Sequence, residues 1–207
     1  MNRSTHAYVR VLGAALGLTA TAHGIFEVRR GNQATDGHLL PDMGAFTLIA
    51  NYRATGFCAM SAGVALSGWS LARMQSRRGA PVLLLLSTLA FLFGGGIAQV
   101  PVSLLVWGAA TRTDSSLSWW ERSLPPRARV AMAAAWQPVF VAGLCLAAAG
   151  IVLWLLVLPP GDRRKVGGVH YVLWSMLGCG LALLAATVPC GFARDIETRL
   201  RTIESLK

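Results

Sequence analysis

Long apolar stretches alternate along the chain with short polar connections. A helix of about 20 mainly apolar residues is long enough to cross the roughly 30 Å hydrocarbon core of a bilayer. The pattern therefore predicts an all-α integral membrane helix bundle of about five transmembrane helices within residues 1–192. The predicted spans cover residues 8–28, 46–72, 81–108, 130–158 and 169–192.

The polar tail at residues 193–207 has a different pattern. Its apolar residues recur at helical spacing, and Glu197 lies four residues before Arg201. The spacing predicts a short amphipathic C-terminal helix that rests on lipid headgroups or on the protein's own loops, in preference to a helix that binds a partner protein. The recurring apolar residues are Ile196, Leu200, Ile203 and Leu206.

Composition agrees with a membrane protein. Hydrophobic residues make up 54% of the chain and charged residues 14%, with a mean hydropathy of +0.52, whereas a soluble domain is about one quarter charged. A net charge of +10 is compatible with nucleic acid, but the Lys and Arg residues lie in the connections and form no basic stripe with aromatics. We therefore expect the lipid bilayer as partner and no nucleic acid.

Orientation in the membrane follows from the basic residues near the ends of the spans. The two shortest connections are densely basic, which predicts that they and the N-terminus lie on the cytoplasmic side of the cell membrane. Five spans place the two chain ends on opposite sides. The total count of basic residues favours the opposite orientation, since 8 of the 19 Lys and Arg residues fall on the expected cytoplasmic side and 11 on the other side.

The first apolar stretch also fits a secretory signal peptide. A basic start precedes an apolar run, and Ala20-Thr21-Ala22 before His23 has the form of an A-x-A cleavage site. Against cleavage, the helical pattern continues through residues 24–26.

Polar residues inside apolar stretches are costly in a bilayer and are the default place to look for function. His23 and Glu27 are four residues apart on the first span, so they share a helix face. Three further polar residues fall at a similar depth in other spans. These five residues predict a polar pocket near one membrane face: His23, Glu27, Arg53, Gln99 and Gln137.

Two interpretations of this cluster stay open. Glu27 and Arg53 either form an ion pair that fixes the first two helices, or Glu27 and His23 support ligand binding or proton transfer. Gln99 and Gln137 lie beside Pro101 and Pro138, so their amides either satisfy carbonyls freed by proline or line a cavity. The glycines of the chain indicate close helix packing, and the Gly94-Gly95-Gly96 triplet also fits a hinge.

Cysteine and histidine spacing predicts no metal site and identifies no cofactor. The four cysteines form no C-x-x-C pair and no zinc spacing. They read as small buried apolar residues.

Three short runs resemble a group of small prokaryotic polytopic membrane proteins without an assigned activity. The resemblance covers about the first half of the chain and implies a bacterial membrane protein, with no reaction attached. The runs are residues 22–27 (AHGIFE), 45–52 (AFTLIANY) and 94–98 (GGGIA).

Three hypotheses for function follow from the sequence. The leading one is binding or transport of a small or lipid-like ligand at the polar pocket. The second is a membrane accessory or scaffold protein, in which the polar groups hold helices together and which is free to form oligomers. The third is a membrane enzyme with His23 and Glu27 as acid and base, and it ranks last because no nucleophile, metal set or phosphate loop accompanies them.

Overall fold

The computed structural model describes residues 2–35, 37–40, 45–157 and 167–206, with the backbone alone at 154–157 and 167–170. The described residues form seven α-helices and three short strands. The helices are α1 (Arg3–Arg29), α2 (Tyr52–Ala72), α3 (Gly79–Leu92), α4 (Gln99–Ala110), α5 (Ser118–Ser123), α6 (Pro126–Val157) and α7 (Gly167–Glu204). The strands are β1 (Leu39–Leu40), β2 (Ala45–Thr47) and β3 (Phe93–Gly96).

Three helices are long and apolar enough to cross a membrane. They are Arg3–Arg29, Pro126–Leu153 within α6 and Tyr171–Glu204 within α7. The prediction of a mostly helical protein with helices long and apolar enough to span a membrane is therefore confirmed for the described residues. The other two predicted spans are not found as long apolar helices among the described residues, so the count of five is not confirmed.

The chain divides into two compact units. The first contains His6–Asp114, and the second contains Asn2–Thr5 together with the chain from Ser115 onward. Helices α1 to α4 and the three strands belong to the first unit, except for the first residues of α1.

Close packing of α1 against α2 builds the first unit. Small residues on α1 leave no space for a side chain, as expected when helices approach at glycine. A Cβ at Gly17 would overlap the side chain of Ser67, and one at Gly24 would lie 2.5 Å from the Gly56 carbonyl oxygen. The contacts run in opposite chain directions, so the helices are antiparallel; Gly13, Gly17 and Gly24 face Ser70, Ser67 and Gly56 in that order.

The second predicted span begins later than the sequence pattern indicated. Residues 45–47 form β2, and the helix starts only at Tyr52. The reason is the cap, because the Asn51 side chain accepts a hydrogen bond of 3.0 Å from the Ala54 amide, which fixes the start of α2.

The prediction of one continuous helix over the third span, residues 81–108, is wrong. Helix α3 ends at Leu92, the glycine triplet continues as β3, and α4 starts at Gln99. Ala90 packs with Ala20 of α1 and Gly94 lies against Glu27, so α3 and β3 run parallel to α1. Gln99, five residues after Gly94, hydrogen-bonds Thr19 two turns back along α1, so the chain has reversed direction.

A small antiparallel sheet of order β1-β2-β3 lies where this reversal occurs. Thr47 of β2 is opposite Phe93 of β3, and Ala45 is opposite Gly96 with an irregularity between the pairs. The backbone of the glycine triplet thus takes part in the hydrogen bonds of a strand instead of a helix. This is the physical reason that the predicted span breaks here.

The second unit is built on an antiparallel pair, α6 and α7. Gly143 faces Leu184 and Gly180 faces Ala147. The tail that we predicted as a separate helix from residue 193 is instead the last part of α7. Ile196 is buried with Leu117, so this part of α7 packs on the protein's own chain.

Asp195 of α7 holds the first turn of α1 within the second unit. Its carboxylate accepts hydrogen bonds from the Ser4 amide (2.7 Å), the Thr5 amide (3.0 Å) and the Thr5 hydroxyl (2.7 Å). An anion at these free amides is the arrangement that a helix start favours. The start of α1 and the far end of α7 therefore lie together.

Helix α1 also contributes to the buried core of the first unit. Tyr8, Val9, Leu12 and Leu16 are all buried. Cleavage after Ala22, as in the signal-peptide interpretation, would remove these residues and the glycine contacts with α2.

We predict that Gly17→Ala destabilises the protein by about 1–3 kcal/mol, because the added methyl group overlaps Ser67 and the backbone of Gly63. The matched control is Gly68→Ala on α2, where nothing lies within 4 Å of the new methyl group. The free energy of unfolding from SDS titration checks this, and equal losses in both variants would contradict the packing described.

Candidate functional site

The last turn of α1 carries a buried carboxylate without a hydrogen-bond partner among the described residues. Glu27 is 0% exposed, and neither of its carboxylate oxygens has a hydrogen-bond partner in the part of the chain that the structure describes. Buried polar groups are nearly always paired, and a bare buried carboxylate is among the most costly exceptions. Glu27 is therefore the first residue to consider for function in the first unit.

Gly94 forms the surface against which this carboxylate packs. A Cβ at Gly94 would lie 2.5 Å from Glu27 Oε2 and 2.6 Å from Cδ. Gly94 also has a φ of +102°, which favours glycine for its own reason. Two independent constraints, space and backbone conformation, thus require glycine beside Glu27.

Two buried threonines lie next to the glycine turn. The Thr55 hydroxyl donates to the Phe93 carbonyl oxygen at 2.8 Å, and Thr47 and Thr55 share a hydrogen bond of 2.5 Å between their hydroxyl oxygens. The Ile49 amide donates to Thr47 Oγ1 at 3.1 Å. These bonds tie β2, α2 and β3 together, so the backbone before Gly94 is fixed by side chains from two other elements.

His23 and Gln99 meet through Thr19, two turns before Glu27. Gln99 Nε2 donates to the Thr19 hydroxyl at 3.1 Å, and His23 Nδ1 lies 3.3 Å from the Thr19 carbonyl oxygen. His23 is half-buried, one turn from the buried Glu27. Thr19, His23 and Glu27 follow one another at four-residue spacing, so the polar residues of α1 form a line along one side of the helix.

The remaining two predicted residues do not join this line in the described structure. Arg53 is exposed on the first turn of α2 and makes no contact with the Glu27 oxygens, so the expected ion pair is not formed. Helix α2 starts only at Tyr52, which leaves the Arg53 side chain outside the α1–α2 contact. Gln137 is exposed on α6 and belongs to the second unit.

A different arginine takes the place that we expected for Arg53. Arg30 Nη1 donates to the Tyr52 hydroxyl at 3.0 Å, and its guanidinium lies 4.8 Å from the centre of the Tyr52 ring. This pair joins the end of α1 to the start of α2 without using Glu27. The sequence gives little indication of the Arg30–Tyr52 pair, because Arg30 falls in a connection and Tyr52 resembles an ordinary aromatic residue at a membrane interface.

The chemistry of the site follows from the unpartnered carboxylate. In a low-dielectric surrounding Glu27 is stable only as the neutral acid or with a hydrogen-bond donor or cation beside it. Arg30, about one turn later, acts on Glu27 through its charge, but neither carboxylate oxygen has a hydrogen bond among the described residues. The described residues contain no group of three or more His, Cys, Asp or Glu placed to hold a metal ion. The line from Thr19 to Glu27 is therefore suited to a small hydrogen-bonding or cationic group, or to a proton.

Comparison with known proteins found no match among protein-family models, curated proteins or solved structures. The resemblance to small prokaryotic membrane proteins stays a prediction.

We predict that Gly94→Ala destabilises the protein by about 2 kcal/mol or more, because the methyl group meets Glu27 and the residue keeps a positive φ. In the background of Glu27→Ala the same substitution should cost about 1 kcal/mol less, since only the backbone strain remains. Unfolding of the four proteins of this double-mutant cycle gives the coupling. Strictly additive losses would show that Gly94 and Glu27 do not touch.

Proposed function

We propose that this protein binds or transports a small or lipid-like ligand at the polar line on α1, with Glu27 as the main contact and His23 and Gln99 beside it. The observation that carries the proposal is the complete burial of a Glu27 carboxylate without a partner among the described residues. A protein keeps such a group at a cost in stability, and inside membranes ionisable groups mark binding sites and proton paths.

The line from Thr19 to Glu27 suits an elongated ligand with one polar end. Thr19 and His23 are half-buried, and Glu27 is the fully buried end of the line. The backbone beside Glu27 is a glycine triplet without side chains, so a small displacement of β3 opens space at the carboxylate. A polar head at Glu27 and an apolar tail along α1 would match this order.

The scaffold hypothesis is the second candidate, and the glycine contacts between α1 and α2 favour it. In that case Glu27 is a neutral acid packed on Gly94, and it needs no ligand. The two candidates differ in whether a molecule accompanies the purified protein. The enzyme hypothesis has no support from a nucleophile placed near His23 and Glu27 among the described residues.

We further propose that the chain lies in the cytoplasmic membrane with an even number of crossings and with both ends on the cytoplasmic side. The contacts of Asp195 with Ser4 and Thr5 support this, because they hold the start of α1 and the end of α7 together. The reversal between Gly94 and Gln99 replaces the third predicted span by two shorter antiparallel helices, so the chain after α4 returns to the side on which α3 begins and the number of crossings is even.

The basic residues support the same orientation. With the reversal included, chain order assigns 12 described arginines to the side of the N-terminus and 3 to the opposite side, to which the α6–α7 connection adds Arg163, Arg164 and Lys165. The count now favours the side of the N-terminus by 12 to 6, and of the two densely basic connections only residues 73–80 stay on the cytoplasmic side. The 12 are Arg3, Arg10, Arg73, Arg77, Arg78, Arg112, Arg122, Arg127, Arg129, Arg194, Arg199 and Arg201; the 3 are Arg29, Arg30 and Arg53.

We predict that reporters fused after residue 75 and at the C-terminus are both active in the cytoplasm. A cysteine introduced at Asn32, in a background without the native cysteines, should instead react with a membrane-impermeant maleimide in whole cells. Reporter activity and cell labelling check this. Opposite locations for the two reporters would restore an odd number of crossings and overturn the proposal.

We predict that wild-type protein in lipid nanodiscs carries a bound species by native mass spectrometry, and that Glu27→Gln loses most of it. The neutral amide keeps the size of the side chain but removes the carboxylate. Arg53→Gln is the matched control, because Arg53 is exposed and lies outside the line. No bound species in wild type, with a lower melting temperature as the only effect of Glu27→Gln, would leave the scaffold function instead.

A further inference from the structure

A second surface with chemistry of its own lies on α5 in the second unit. This short helix is fixed on α7 by its inner side chains. The rings of Trp120 and Phe192 are 5.4 Å apart, and Leu117 is buried with Phe192 and Ile196. Glu121 of α5 forms an ion pair with Arg199 of α7. The orientation of α5 is therefore determined by packing on one side.

The backbone before α5 is strained in order to reach this position. Leu117 has a φ of +51°, the left-handed conformation that bulky residues rarely adopt. Among the described residues it is the one position other than glycine with a positive φ. Such strain persists only where the surroundings enforce it, and it is frequent at binding sites. Here it turns the Leu117 side chain inward and leaves the other face of α5 outward.

The outward face of α5 carries an aromatic residue and a cation. Trp119 is 62% exposed and stands edge-on to Trp120, with ring centres 5.0 Å apart. Arg122, one turn later, is exposed and uses only its Nε, which donates to the Ser118 carbonyl oxygen at 3.3 Å. The two Nη groups of Arg122 have no acceptor among the described residues. An exposed Trp held beside an Arg is the combination that anchors proteins at lipid headgroups.

The ends of α6 and α7, which the pairs Arg129–Glu197 and Arg199–Glu121 join to each other and to α5, keep positive charge after these close pairs are formed. Glu121 and Glu197 are neutralised by Arg199 and Arg129, and Asp195 is occupied by the amides of α1. Arg127 and Arg201 are exposed and have no ion-pair partner among the described residues, like Arg122. Among the described residues of the second unit, Glu204 at the end of α7 is the one exposed acid outside those contacts.

We propose that Trp119 and Arg122 of α5 bind the phosphate headgroup of an anionic phospholipid, and that Arg127 and Arg201, at the nearby ends of α6 and α7, add positive charge that attracts this lipid. The lipid chains would lie beside Trp119, and the phosphate would accept hydrogen bonds from the open Nη groups of Arg122. The cytoplasmic leaflet supplies anionic lipid, in agreement with the orientation proposed for this end of the chain. The inference is independent of any ligand at Glu27.

The test uses the full chain purified into nanodiscs of phosphatidylcholine with one third phosphatidylglycerol. Native mass spectrometry then counts the phosphatidylglycerol molecules that stay bound after gentle activation. The triple variant Arg122→Gln, Arg127→Gln, Arg201→Gln should retain at least about fivefold less of this lipid than wild type, since it removes the charge-assisted hydrogen bonds from Arg122 to the phosphate and the charge that supports them, and a lipid held by such bonds stays bound where one attracted only by surface charge does not. Trp119→Ala should lower retention as well, because it removes the contact with the chains.

The matched control is Arg73→Gln, Arg77→Gln, Arg78→Gln, which removes the same charge from exposed residues between α2 and α3. This variant should retain phosphatidylglycerol like wild type. An equal loss in both triple variants would show general attraction to a basic surface and overturn the proposal. Unchanged retention in the α5 variant, or in Trp119→Ala, would overturn it too. Melting temperatures in pure phosphatidylcholine confirm that all variants are folded.

Discussion

The contact between the Glu27 carboxylate and the Gly94 backbone is the constraint on which the first unit depends. It joins the last turn of α1 to the point where the chain leaves α3, and it leaves no space for any side chain at residue 94. Because the carboxylate has no partner there among the described residues, packing at this point costs free energy instead of supplying it. The stability comes from elsewhere, from the close glycine contacts along α1 and α2 and from the threonine bonds that hold β3.

The reversal of the chain after β3 links this local contact to the arrangement in the membrane. A continuous helix over residues 81–108 would carry the chain across once and separate its two ends. The glycine triplet pairs as a strand with β2 instead, and the following helix returns along α1. The proposed cytoplasmic position of both chain ends follows from this one break in the helix.

The sequence predicted the helical membrane class well, because apolar stretches of membrane length rarely occur outside helices that cross a bilayer. It also predicted the packing role of Gly13 and Gly17, since small residues four apart permit close approach. The break at residues 93–96 was harder to predict. Its glycines were identified as a candidate hinge, but only the pairing with residues 45–47, nearly fifty positions away, turns the hinge into a strand.

The candidate site was predicted in part. His23 and Glu27 share α1, as their spacing in the sequence indicates. Gln99 of α4 lies beside α1, where it hydrogen-bonds Thr19. Arg53 failed as the partner of Glu27, because a cap at Asn51 sets where α2 begins and spacing alone does not reveal it. Thr47, Thr55 and Gly94 were missed as neighbours of the site, since their contacts are long-range and their residue types are ordinary in membrane segments.

An experimental structure of wild-type protein in lipid nanodiscs is the most direct test of the role proposed for Glu27. We predict density from a molecule outside the protein within about 3 Å of a Glu27 oxygen, with Gly94 beside the same carboxylate. A Glu27 carboxylate that is hydrogen-bonded only to protein groups, with no additional density along Thr19 and His23, would contradict that role.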